Sequence, residues 1–377
     1  MMPGFEYWAM LEPMKYYDKQ RDTLSDNLKK KYDAMINNEN NEYIATCKYD
    51  GEWTMFIKWD GEILIRSRSI SKVTGKYGDK TAHLPHLVEE MQYWPDNTVI
   101  LGEVCWGDFG SVSTDVGTIL RCLPAKAVER QKERKLVVKV FDCLAILGDS
   151  LLTIPYADRI AQAHNMISLT HINGNGYFTM TDICPSDKTP AEFADEIIKK
   201  GGEGAVIQRA DYIYEPGKRS AWKTLKLKQR LPEMELQVVS ILEPNKWYDG
   251  KEGAAWPYHE WRNVVTGETK IFTGRYPNVE DGNGAEWVET GLVTKPYAMG
   301  WKIGVAVDYN GTEVSVTSGL TDEDREWLST QEAQDLVKHG QLFAIIQGMM
   351  TNTLGAIRHP IWKGCRVMDD SMRIEWE

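Results

Sequence analysis

Bulky apolar residues alternate with smaller or polar ones along Trp53–Trp59, Asp60-Gly61 follows, and Glu62–Arg66 resumes the pattern. A period of two on either side of an Asp-Gly pair predicts a β-hairpin closed by a tight turn. Further strands are predicted at Tyr43–Cys47, Thr98–Val104, Leu136–Leu144 and Ala205–Gln208. Helices are predicted near Ser25–Asn37 and over Tyr156–Leu169. A third begins at Thr189-Pro190-Ala191-Glu192, a capping box with proline at the first helical position, and stops at Gly201. Helices and hairpins interleave without a regular βαβ repeat, which predicts an α+β fold with mostly antiparallel sheets.

Near Arg230–Glu233 a basic run ends at Leu231-Pro232, and a domain boundary is expected there. The second part, 231–377, reads as short strands: Met234–Leu242, Arg262–Phe272, Trp301–Tyr309, Glu313–Thr317 and Leu342–Gln347. Asn310-Gly311 marks a hairpin, and two helices lie between Thr321 and Gly340. Five strands with helix between the last two fit a small β-barrel of OB type. An insertion is placed at about 249–295.

Composition narrows the class. Of 377 residues, 42% are hydrophobic and 26% charged, as in water-exposed globular chains. No apolar run reaches the ~20 residues of a membrane span, and the first residues carry no signal-peptide pattern. Six cysteines stand singly with no C-x-x-C pair, which predicts free thiols in a reducing cytoplasm and no zinc site. Net charge is −11, yet residues 1–230 hold 31 basic and 32 acidic side chains, so the acidity lies in the last third. Lys199–Arg230 and Arg66–Lys80 are locally cationic, as phosphate-holding surfaces are.

Lys48-Tyr49-Asp50-Gly51 sits at the mouth of the first hairpin. A lysine held there, partly out of water and beside other cations, would have its pKa lowered until the neutral amine attacks phosphorus. Asp50 offers a carboxylate for a metal or a ribose hydroxyl, and Gly51 would let the backbone approach a nucleotide. Downstream come Arg66-Ser67-Arg68, Leu101-Gly102-Glu103, Val140-Phe141-Asp142, Glu203-Gly204 and Leu225-Lys226-Leu227-Lys228. In the last of these the alternation puts both lysines on one strand face. Paired cations near metal-binding carboxylates are what phosphoryl-type transfer needs. His83, His86 and His359 have no carboxylate or cysteine at metal-ligand spacing and read as structural.

In order and spacing these groups resemble the covalent nucleotidyltransferases, most closely small bacteriophage-type ATP-dependent DNA ligases, over roughly 43–230 and 297–368. Lys48-Tyr49-Asp50-Gly51 is similar to the adenylated-lysine motif and Ser67-Arg68 to the ribose- and phosphate-contacting segment. Glu103 matches the ribose-binding glutamate and Phe141 the aromatic that stacks on adenine. Glu203-Gly204 resembles the metal-associated motif, and Lys226 with Lys228 the α-phosphate lysines. In the tail, Ser318–Thr321 and Arg325 resemble the OB segment, and Arg358–Arg366 the motif that orients pyrophosphate.

The resemblance implies an adenylation (nucleotidyltransferase) domain at 1–230 and an OB-fold domain at 231–377, acting as a minimal nick-sealing ligase in DNA replication, repair and recombination. Lys48 and Asp50 would be catalytic. Thr46, Cys47, Lys48, Tyr49, Arg68, Glu103, Phe141, Lys226, Lys228, Arg358 and Arg366 would bind ATP, and Glu203 with Glu103 would hold Mg2+ or Mn2+. The partner would be nicked double-stranded DNA, bound by a monomer away from membranes. The chain departs from the family at Trp53, where arginine is usual, at Thr46 for glutamate, at Gln208 for lysine, and in the displaced Trp222. An RNA ligase or capping guanylyltransferase shares the lysine chemistry, and nicked RNA against nicked DNA separates them. An inactive nucleic-acid-binding relative would form no AMP adduct.

Overall fold

The structure, a computed structural model, describes residues 4–71, 74–109, 113–170, 175–228, 231–250, 257–273, 286–349 and 357–368. The chain divides into two compact units, Met1–Gln229 and Arg230–Glu377. Strands of the first are β1 (Tyr43–Cys47), β2 (Glu52–Trp59), β3 (Glu62–Ile70), β4 (Tyr77–Asp79), β5 (Thr98–Cys105), β6 (Val137–Ile146), β7 (Asp149–Ser150), β8 (Phe178–Met180), β9 (Gly204–Arg209) and β10 (Thr224–Lys228). One sheet runs β4-β3-β2-β5-β6-β7 with β8 parallel to β6; the other, β1-β9-β10, is antiparallel. The expected α+β architecture with mostly antiparallel pairing is present.

The β2–β3 turn follows the Asp-Gly signal, with Asp60 and Gly61 both at positive φ. β2 is buried on both faces. Phe56 joins Leu87, Ile100, Val138 and Phe178 on one side. Met55, Ile57 and Trp59 meet Trp8, Leu11 and Met14 of the lead-in on the other. The Thr189 capping box forms as predicted and turns Phe193 and Ile197 of helix Pro190–Lys199 onto β1 and β9. His83 and His86 bond the carbonyls of Cys122 and Leu136, structural roles as expected. No helix among the described residues is long and apolar enough to cross a membrane.

The second unit holds β11 (Met234–Leu242), β12 (Tyr258–Asn263), β13 (Thr269–Thr273), β14 (Trp287–Val293), β15 (Gly304–Tyr309), β16 (Thr312–Val316), β17 (Leu342–Gln347) and β18 (Ile361–Val367). Five of them pair in the order β16-β15-β11-β17-β18, and β13-β12-β14 form a separate sheet. The predicted strand Arg262–Phe272 is instead a hairpin. Asn263 Oδ1 accepts the Val265 and Thr266 N–H groups, and Gly267 turns at φ +74°, so the run folds back on itself. The stretch placed as an insertion thus builds a sheet of its own. Among the described residues no ladder closes the five strands into a barrel; one parallel bridge, Ser318 to Ile361, links the segment after β16 to β18.

Asp142, beside Phe141 on β6, is fully buried and held bidentately by Arg159 at 2.8 and 3.0 Å. Arg159 also donates to the carbonyls of Ile154 and Tyr212, so the pair ties helix Tyr156–Thr170 to β6 and to the chain after β9. Arg159→Met would strand a buried carboxylate and should destabilise the first unit by ~3–5 kcal/mol. Urea unfolding measures this; a loss below about 1 kcal/mol, the surface-pair range, would mean that Asp142 finds another partner.

Candidate active site

Lys48 leaves the end of β1, where its N–H donates to the Gly204 carbonyl at 2.9 Å. Gly204 has φ +131°, and a Cβ there would overlap the Leu227 carbonyl of β10, so only glycine lets β10 close on β9 at this point. Glu203, just before it, is thereby set against Lys48: Oε2 lies 2.6 Å from Nζ in a pair mostly shielded from water. Gly51 was expected to admit a nucleotide. It does line the cavity beside Lys48, and it also packs against the β5 backbone, where a Cβ would overlap the Val104 carbonyl, with its N–H donating to Glu103 Oε1 at 3.2 Å. Two glycines therefore bring two carboxylates to one lysine.

Those carboxylates overturn the expected electrostatics of Lys48. Burial pulls its ammonium down, but Glu203, Glu103 and Asp50 outweigh it and the pKa is raised. Carboxylates dominate its surroundings, although Lys226 is close enough to feel its charge. Burial lifts Glu103 to about 7 in turn, with Glu203 and Asp50 adding to the rise and Lys48 opposing it. The lysine that does meet the expected conditions is Lys226. Burial first, then the charges of Lys48 and Lys228, push it down to about 8.

Beside Lys48 a cavity of about 320 Å³ is walled by Thr46, Cys47, Tyr49, Arg68, Glu103, Phe141 and Lys226 among others. That volume lies at the lower end of ligand pockets, ~300–1,000 Å³. Lys226 and Lys228 do share a strand face, but Lys228 is not a wall: its Nζ is held by Asp18 at 2.8 Å. Thr46 Oγ1 donates to the Val206 carbonyl at 3.4 Å. Trp53 both lines the cavity and packs in the core, with the Arg66 guanidinium 5.8 Å from its ring centre. Arg358 and Arg366 belong to the second unit, where Arg366 faces Glu235 at 3.4 Å.

Among the wall residues not assigned to the site from the sequence are Tyr16, Tyr156, Lys139 and Gln208, the last read only as a departure from the family. Tyr16 lies in the lead-in, which carries no motif. Tyr156 begins a helix and donates to the Phe141 carbonyl at 3.1 Å, Lys139 precedes Phe141 by two on the same strand face, and Gln208 ends the Glu203 motif. Strand alternation from Phe141 and Val206 is the signal that could have found Lys139 and Gln208. Among the described residues no three Asp, Glu, His or Cys side chains form a ready metal cage. Glu103 and Glu203 supply two hard oxygen donors, the partial set that suits Mg2+ when phosphates and water complete its shell.

Comparison with known proteins fits this geometry. Residues 23–228 match the family described as ATP dependent DNA ligase domain. DNA ligase 1 of Methanosarcina acetivorans is 28% identical over 218 residues, 54% of this chain and 35% of that protein. The DNA ligase of Haloferax volcanii is 31% identical over 198 residues, 51% and 31% of the two chains. The chain spans about a third of the length of these relatives. Among solved structures, one described as "DNA binding with a minimal scaffold: Structure-function analysis of Lig E DNA ligases" aligns at TM-score 0.55 and 16% identity, covering 94% of this chain and 98% of that one. Another, "Pmar-Lig_Pre.", aligns at TM-score 0.57 and 16% identity, covering 97% and 70%; at such identity the likeness is one of fold. With more than half of its residues inside the family match, the chain belongs to the ATP-dependent DNA ligases.

Proposed function

We propose that the chain seals nicks in duplex DNA, using ATP, through a covalent lysine-AMP intermediate. The observation that carries this reading is Lys48, buried against Glu203 at the edge of a nucleotide-sized cavity. Lys48 Nζ attacks the α-phosphorus, forming a P–N bond as the bond to pyrophosphate breaks. Lys48, an ammonium at rest, first gives a proton to Glu203, 2.6 Å away, so that the neutral amine attacks, and the nitrogen's second proton goes to solvent as the P–N bond forms. Lys226 faces the α-phosphate, Arg68 the ribose and phosphates, and Phe141 the adenine. In the second transfer an oxygen of the DNA 5′-phosphate displaces Lys48 from the AMP. In the third the 3′-hydroxyl attacks that 5′-phosphorus and AMP leaves.

Mg2+ or Mn2+, held by Glu203 and Glu103, would cancel part of the carboxylate field that keeps Lys48 protonated and would stabilise charge on the phosphates. Residues 1–230 would be the adenylation domain. The second unit would be an OB domain that closes on DNA, with Arg358 and Arg366 orienting pyrophosphate. The strand order and the Ser318–Ile361 bridge support that assignment. The partner would be nicked double-stranded DNA and the working form a monomer.

Lys48→Ala should form no protein-AMP adduct with ATP, yet should still seal a nick whose 5′ end is already adenylated. Mass spectrometry decides: an adduct on another lysine sinks the assignment. Glu203→Gln should slow single-turnover adenylation by ~10²–10³, the usual loss of one electrostatic stabiliser, and a near-normal rate would remove Glu203 from the chemistry. Because the cationic tracts lie in residues 60–230, affinity for nicked duplex should fall steeply with salt as counterions are released. Fluorescence anisotropy at rising salt tests this, and a flat response would contradict binding through the phosphates.

A further inference from the structure

Residues 4–18 precede the family match, which begins at residue 23, yet they are built into both walls of the cavity. On the β3 side, the fully buried Arg66 donates to the Trp8 and Leu11 carbonyls, where helix Phe5–Met10 ends. Arg68 reaches the Met14 carbonyl at 3.5 Å, and Met14 N–H donates to the Tyr214 hydroxyl at 2.9 Å. The segment then crosses to the other sheet and runs along the edge of β10. Lys15 N–H donates to the Lys218 carbonyl at 2.9 Å, Tyr17 N–H to Thr224 Oγ1 at 3.1 Å, and Lys226 N–H to the Tyr17 carbonyl at 2.9 Å. Asp18 ends the crossing on Lys228 at 2.8 Å. Between these anchors Tyr16 turns into the cavity, its ring centre 5.9 Å from Lys226 Nζ.

We propose that this strap is part of the nucleotide site, and that Asp18 is a positioning residue: by holding Lys228 aside it presents Lys226 to the phosphates as the one lysine of the pair in the cavity. The proposal rests on the reading of Lys226 as a phosphate ligand. An ammonium with three donors and a flexible stem takes whichever acceptor lies nearest. Two lysines on one strand face would therefore compete for the same phosphate oxygens unless one is otherwise engaged. Asp18 engages Lys228 from outside the sheet, and the Tyr17 carbonyl fixes the β10 backbone at Lys226. The largest influences on Lys226 besides burial are Lys48, Lys228, Asp18 and Arg68, and of these four only Asp18 favours its charged form; Tyr16 packs beside it, and Glu52, Glu103, Arg121 and Lys139 line the same cavity.

The test uses the full chain and the variants Asp18→Asn, Asp18→Glu and Lys226→Ala. Single-turnover formation of the protein-AMP adduct is followed at pH 7 and pH 8.5, and affinity for the unreactive analogue α,β-methylene-ATP is measured by calorimetry. For Asp18→Asn, adduct formation should fall on the order of 10–100-fold, the scale of a misplaced reactive group. The fall should be larger at pH 8.5, because Lys226 then loses its proton more readily. Analogue affinity should hold or tighten, since Asp18 lies off the cavity wall and the freed Lys228 adds a second cation for the phosphates. Asp18→Glu should restore most of the rate. If Lys226→Ala is slow while Asp18→Asn matches wild type at both pH values, the strap proposal fails and the phosphate role of Lys226 stands. If Lys226→Ala is itself unimpaired, the reading beneath the proposal fails with it. Equal losses of rate and affinity in Asp18→Asn, with a lowered melting temperature, would reduce Asp18 to a structural tie and also overturn the proposal.

Discussion

A lysine taken out of water keeps its charge only where carboxylates offset its burial, and the pairing of β1, β9 and β10 supplies that offset at Lys48. Lys48 and Glu203 meet because β1 and β9 pair in one register, Cys47 opposite Ala205. That register puts the residue after β1 beside the residue before β9. The Gly204 backbone then lets β10 pack tightly, with Lys228 opposite Gly204 and Lys226 opposite Val206. A slip by one residue would reverse the side-chain faces of β10 and carry both lysines away from Lys48. The chemistry and the strand register are thus the same constraint seen twice.

The two lysines are consequently tuned in opposite senses. Lys48 sits among Glu203, Glu103 and Asp50 and holds its proton more tightly than a free lysine. Lys226 is buried nearer to cations than to acids and holds its proton less tightly. In the proposed reaction Lys48, as nucleophile, would react only once that carboxylate field is drawn off, which a divalent cation with its phosphates would do.

Much of this was legible in the chain. The Asp60-Gly61 hairpin, the Thr189 capping box and the ordered short motifs each have a local physical cause, so residue types alone reveal them. What could not be read is set by long-range pairing. The ordered motifs place Glu203 and Glu103 at the site of Lys48, but nothing near Lys48 in sequence shows how closely they approach its amine, so the direction of its pKa shift could not be read. Likewise Lys226 and Lys228 look equivalent until Asp18, some two hundred residues away, claims one of them. In the second unit the stretch from Arg262 to Phe272 folds at a turn, because Val264 and Val265 are exposed at the hairpin tip and the Asn263 side chain, not the hydrophobic pattern, makes the bend.

The departure at Trp53 acquires a physical account from the same lead-in. Arginine is usual in the family at that position, and a cation there would face the cavity. Here the cation is Arg66, one strand over, lying against the Trp53 ring and 4.1 Å from the centre of the Tyr77 ring. Burial lowers it to about 10, and its bonded partners are carbonyls rather than a carboxylate. An arginine satisfied only by carbonyls and aromatic faces keeps its full positive charge uncompensated. That charge stands behind the aromatic wall instead of in front of it. Arg66 thus ties the lead-in to β3 from behind the aromatic wall, while Arg68 and Lys226 are among the cations that line the cavity itself.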